Sequence, residues 1–164
     1  MNRSAFLGNV LNLILGFLTV LSSAVCASDD SQPLPLNQVP KAVKDAVMKK
    51  FPDAKPQSAT QGTEDSKPYI DVVILVKSQK IWVTCDPDGT IRVIDREITV
   101  KDLPAPVAVA LHKKYPKAAI RLVNEIIEGS APSYDIALTF NRKKLIATFD
   151  ATGEFVEELD DDDN

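Results

Sequence analysis

Slid along itself until Val39-Pro40 lies over Leu103-Pro104, the sequence also places Lys49-Lys50-Phe51-Pro52 over Lys113-Lys114-Tyr115-Pro116, and Ala54 over Ala118. The same shift then carries Asp71 onto Asp135, Lys80 onto Lys144, Thr84 onto Thr148, Asp86 onto Asp150 and Gly89 onto Gly153 without a gap. Chance similarity loses register within a few turns. An internal repeat of about 60 residues predicts one supersecondary unit used twice.

Each copy opens with a helical pattern. Val39, Val43, Ala46 and Val47 fall on one face, as do Leu103, Val107, Ala110, Leu111 and Tyr115, at the three- and four-residue steps of a buried helical stripe. Pro40 and Pro104 suit a first helical turn, and Asn37 and Asp102 are cap candidates. The lysine pairs complement the negative end of the helix dipole. Pro52 and Pro116 push Phe51 and Tyr115 out of helical geometry, so the repeated lysine-lysine-aromatic-proline stretch is a helix stop.

The rest of each copy reads as antiparallel strands. In the second, 119–126, 133–140, 143–150 and 154–159 alternate apolar and polar residues between short polar breaks. Asn141-Arg142-Lys143 and Lys77-Ser78-Gln79 read as tight hairpin connections. Asp86-Pro87-Asp88-Gly89 and Asp150-Ala151-Thr152-Gly153 have the aspartate-first, glycine-last signature of type I turns. The polar segment 55–63, with Pro56 and Gly62, fits an edge or irregular strand. The expected fold is α+β: two tandem α-β-β-β-β repeats, with helices packed on antiparallel sheet.

Ahead of the repeats, Arg3 and the apolar run Ala5 to Val25, closed by small residues, have the layout of a secretory signal cleaved after Ala27. The run is also long enough to span a bilayer if uncut, and Cys26 leaves lipid attachment as a third option. The expected division is therefore a signal peptide at 1–27, a flexible linker at 28–36, repeats at 37–98 and 99–159, and an acidic tail at 160–164. The implied address is periplasmic or secreted, with no membrane span after cleavage.

Cleavage would leave Cys85 as the single cysteine, so no internal disulfide is expected. Its apolar setting, IWVTCD, reads as core. The net charge is −4, and no basic stripe with interleaved aromatics argues for a nucleic-acid partner. The like-charged tail reads as solvated, with weak calcium sensing as a minor alternative.

The pattern of aromatic-Pro-x-Ala, then Tyr134-Asp135-Ile136-Ala137-Leu138, then Phe149-Asp150-Ala151-Thr152-Gly153, with counterparts one repeat earlier, resembles the PepSY-like family. As a tandem helix plus antiparallel sheet it is similar to the fold of the beta-lactamase inhibitor protein. The resemblance covers Val39 to Leu159 and implies a small exported protein without established catalytic residues. The wider group's link to peptidase propeptides implies restraint of a secreted enzyme. One departure stands out: Ala59 and Val123 occupy a region where related proteins often carry tryptophan.

Catalytic chemistry has little to work with here. His112 matches Met48 in the other copy, and one histidine with one mature cysteine makes a poor zinc set. Asp71 and Asp135 read as sheet charges, and no phosphate loop or serine-nucleophile motif occurs. No enzyme, cofactor or metal is expected.

A binding face is better supported. Val72, Ile74, Val76, Ile81, Val83, Cys85, Ile91 and Val93 form the expected core set, leaving Val73, Leu75, Trp82, Ile94, Tyr69, Thr84 and Arg92 on the other face. If that face is open rather than covered by a second sheet or an N-terminal segment, Tyr69, Val73, Leu75, Trp82, Arg92 and Ile94 are the candidate partner-binding residues, anchored by the tryptophan and arginine. The expected function is an exported, non-enzymatic module binding a protein or peptide. The alternative is inhibition of a secreted peptidase or other hydrolase.

Overall fold

The computed structural model describes residues 31–161. Arg3, Cys26, the cleavage expected after Ala27 and the end of the acidic tail lie outside the described residues. Strand β1 (Gln32–Pro33) precedes helix α1 (Lys41–Lys50) and strands β2 (Lys55–Glu64), β3 (Lys67–Val76), β4 (Gln79–Cys85) and β5 (Ile91–Glu97). A 3-10 turn at Val100–Asp102 leads to α2 (Ala105–Lys114), β6 (Ala119–Glu128), β7 (Ala131–Phe140), β8 (Lys143–Asp150) and β9 (Phe155–Asp160). The nine strands among the described residues form one antiparallel sheet in chain order, so the fold is α+β.

The helices stop where the sequence places their ends. Phe51 and Tyr115 leave helical geometry at φ −130° and −126°, the response expected of a residue held by a following proline. The starts differ from expectation. Pro40 and Pro104 are themselves the N-caps, and neither helix has a side-chain cap. Asn37 instead offers its carbonyl to Lys44, and Asp102 caps the preceding 3-10 turn with Thr99.

Ladder irregularities set which residues share a face. The β2–β3 register shifts between Pro56 and Ser58, and the β6–β7 register between Ile120 and Leu122. A third shift lies between Thr84 and Cys85, against β5, and a fourth between Thr148 and Phe149, against β9. Such bulges insert one residue and reverse the alternation beyond them. Strict alternation therefore misplaces the end of β5. Ile94 pairs with Val83 and joins the core, whereas Val93 pairs with Thr84 on the far face. The expectation that Ile94 lines a binding face is corrected accordingly.

Two apolar clusters hold the helices to the sheet. Val43 and Val47 of α1 pack with Ile74, Val83 and Cys85, and Val107 and Leu111 of α2 pack with Ile136, Leu138 and Phe149. The core-facing pair Ile94↔Ile127 places both clusters on one side of the sheet. Ile127 reaches the first cluster and Ile98 the second, so packing crosses the junction. Cys85 is fully buried, and burial, with Asp71 and Asp86 nearby, pushes its thiol up to about 12. It is an inert core residue.

Both ends of the sheet draw in segments that the sequence reads as loose. Gln32 and Pro33 pair with Gln61 and Thr60, and Leu34 is buried in the first cluster, so part of the expected linker covers a sheet edge. At the other end Asp160 closes β9, and Asp161 is buried against Arg121. Short, proline-bearing or acidic edges discourage unwanted strand pairing.

Glycine is required where a turn meets a helix. Gly89 (φ +92°) and Gly153 (φ +85°) close the β4–β5 and β8–β9 turns so tightly that an added Cβ would lie 2.6 Å from the Ala42 carbonyl oxygen and 2.5 Å from that of Pro106. Gly129 (φ +77°) has the same backbone conformation but open space around it. Gly129→Ala is therefore expected to cost about 1 kcal/mol, the left-handed backbone penalty alone. Gly153→Ala is expected to cost clearly more in urea denaturation. Equal losses would remove steric contact as the cause.

Candidate functional site

With both helices on one side, the sheet presents a second, distal face. Register places Val73, Trp82, Asp95, Ile126 and Ser133 in one row across β3 to β7. A second row runs Glu97, Asn124, Asp135, Thr148, Glu157 across β5 to β9. Trp82, Val73 and Leu75 are half-buried on this face. Tyr69 is nearly buried, its ring laid over Gly62, where a Cβ would come within 2.5 Å of the Tyr69 hydroxyl.

The candidate residues are only partly brought together. Trp82 sits between Val73 and Asp95 on neighbouring strands. Arg92 serves the end of the sheet instead: its Nε donates to Asp86 at 2.7 Å, and its terminal nitrogen donates to the Pro68 carbonyl at 3.1 Å. The ring–cation contacts among the described residues belong to Lys114, over Tyr115 and Phe155. Arg92 is thus a turn clamp. Ile94, as described, belongs to the core.

Polar residues occupy the centre of the distal face. Thr84 donates its hydroxyl to Asp71 at 2.6 Å, and Thr148 donates to Asp135 at 2.7 Å. Hydrogen bonds to ionised carboxylates are the stronger class, contributing about 1.5–3 kcal/mol. Asp95 differs from both. It is 2 % exposed, and neither carboxylate oxygen has a hydrogen-bond partner. Burial, reinforced by the charge of Asp135, pushes its carboxyl up to about 7.

Raised proton affinity in a specific charged setting is a marker of functional sites. Asp95 is hard to single out in the sequence because the shift that aligns the chain on itself sets it over Leu159 and because the bulge hides its face. The visible signal is a carboxylate directly after the apolar pair Val93-Ile94 in the strand run IRVID. Among the described residues, no group of three or more His, Cys, Asp or Glu could hold a metal ion, and no helix is long and apolar enough to cross a membrane.

Described residues also line clefts elsewhere. One of about 340 Å³ opens beside α1 between Leu36, Met48 and Pro56, with Lys44 at its rim. Another, about 440 Å³, follows the β1–β2 edge past Gln61, Tyr69 and Pro87. Neither gathers titratable side chains.

No protein-family model matches the chain, and no curated protein sequence matches it. Solved structures do resemble it. A BLIP-like protein from Bacteroides fragilis superposes with a TM-score of 0.64 at 18% identity, over 80% of this chain and 90% of the other. A DUF2874 family protein from Bacteroides ovatus gives 0.64 at 14% identity, over 76% and 89%. A Bacteroides eggerthii protein provisionally described as periplasmic gives 0.63 at 17% identity, over 74% and 88%. At such identities the likeness is one of fold: an α+β, BLIP-like arrangement of helices on antiparallel sheet.

The folded state holds the Asp95 proton more tightly than an unfolded chain, whose carboxyl titrates near 3.8. Stability from this group is therefore full below pH 4, falls as pH rises toward 7 and levels off above it. Asp95→Asn keeps the shape and removes the titration. At pH 8 it is expected to raise stability by up to about 4 kcal/mol, with the advantage shrinking toward pH 4. Parallel melting-temperature profiles for the two proteins would refute this assignment.

Proposed function

We propose that the chain is an exported, non-enzymatic binding module that engages a protein or peptide through the distal sheet face around Trp82. The supporting observation is the unequal use of the sheet: both helices cover one face, while the other carries a half-buried tryptophan flanked by Val73 and Leu75. Large amphipathic aromatics in such settings anchor interfaces. The periplasmic description of a structural neighbour and the apolar run ahead of residue 28 support export.

Kinship with the PepSY-like family and descent from a duplicated unit belong to the same proposal. Their support is the recurrence, at matching positions of the two copies, of two bulges, the threonine–aspartate bonds and the glycine–helix contacts. A second reading, inhibition of a secreted peptidase or other hydrolase, draws on the fold shared with a BLIP-like protein.

The test uses a photo-crosslinking phenylalanine at position 75, on the distal face, or at position 45, on the outer surface of α1, in the chain's native envelope. A crosslinked partner is expected from position 75 and not from 45, and Trp82→Ala is expected to reduce its yield at least tenfold. A yield indifferent to Trp82 would sink the site. Titration against secreted hydrolases separates the two readings, since a plain binder leaves their turnover intact.

A further inference from the structure

We propose that the distal face receives a cationic side chain, arginine or lysine, of its protein partner at Asp95, with Trp82 and Ile126 as the walls for its aliphatic stem. The inference rests on the preceding reading that this face is the binding face, and it specifies the partner's chemistry.

Three observations converge on it. First, carboxylates run across the middle of the face: Asp71 on β3, Asp95 on β5, Asp135 on β7 and Glu157 on β9 share it by register. Its lysines, Lys55, Lys67, Lys80 and Lys144, sit toward the strand ends. A surface so charged steers and selects a basic partner. Second, Asp95 is 2 % exposed with both oxygens lacking hydrogen-bond partners. A buried carboxylate in that condition is costly until a donor or countercharge meets it.

Third, the chain's own cations near Asp95 in sequence are engaged elsewhere. Arg92 holds Asp86, and Arg96 donates to Glu125 at 2.5 Å on the helix-covered face. The partner group is a side chain rather than a metal ion, because the described residues hold no cluster of three metal-ligating side chains. Trp82, directly across from Asp95 on β4, offers an aromatic face on which a guanidinium stacks.

The experiment titrates hexa-arginine amide, and separately hexa-citrulline amide, its neutral isostere, into the isotope-labelled protein purified after export. Amide and indole resonances are followed by NMR. Saturable shifts at the Trp82 indole and at residues 93–97 and 124–126 are expected with hexa-arginine. Affinity for hexa-citrulline, and affinity of the Asp95→Asn variant for hexa-arginine, should each be at least tenfold weaker. Asp45→Asn, on the outer surface of α1, should bind as the wild type does, and an unchanged dispersed spectrum certifies that each variant is folded.

Equal affinity for both peptides, binding indifferent to Asp95, or shifts confined to residues 155–164 would overturn the inference. The crosslinking test separates the two levels. A partner that depends on Trp82 but not on Asp95 leaves the binding face standing and refutes the cation. A partner that depends on neither refutes both.

Discussion

Five antiparallel residue pairs between β5 and β6, from Val93↔Glu128 to Glu97↔Asn124, join two helix-covered halves into one sheet. Alone, each half would be a unit of about 60 residues, a size at which core burial is marginal, and each would present an unpaired edge at the junction. Pairing removes those edges and exchanges apolar contacts, since Ile127 enters the first cluster and Ile98 the second. Arg96 and Glu125 bridge the junction on the helix side, and Tyr134 donates to the same glutamate at 3.3 Å. The junction also puts Asp95 in mid-sheet, where a strand at a free edge would have left it in water.

The parts of this architecture that were legible in the sequence are those governed by local rules. A proline disfavours helical backbone at the residue before it, so both helix ends follow from KKFPDA and KKYPKA. Hairpins were legible too, although the turns are tighter than their sequences indicate. Lys77-Ser78 and Asn141-Arg142 both take positive φ at their two central positions, the backbone of primed turns that usually recruit glycine. Periodicity also sorted Val72, Ile74, Ile81 and Val83 into the core.

What the sequence concealed are features that depend on partners across the sheet. The bulge opposite Cys85 carries no glycine or proline to announce it, so the face of Ile94 could not be read from β5 alone. Gln32 and Pro33 are too few to show periodicity, and they become a strand only because β2 offers an edge. Asp161 looks like one more acidic residue in a run until Arg121, forty positions earlier, is placed beside it. The candidate site divides along the same line. Trp82 was visible as a large side chain on the minority face, whereas Asp95 gains meaning only from burial and from Asp135 on another strand.

The two turn glycines have a consequence for how such a chain diversifies. Because Gly89 and Gly153 meet backbone oxygens in the first turn of each helix, those helices are seated by main chain against main chain. The fit is indifferent to which side chains the outer helical surfaces carry. Val109 of α2, largely exposed, occupies such a surface. The frame therefore has fixed seats and rewritable panels: substitutions on the outer helical surfaces leave the turn-to-helix contacts in place.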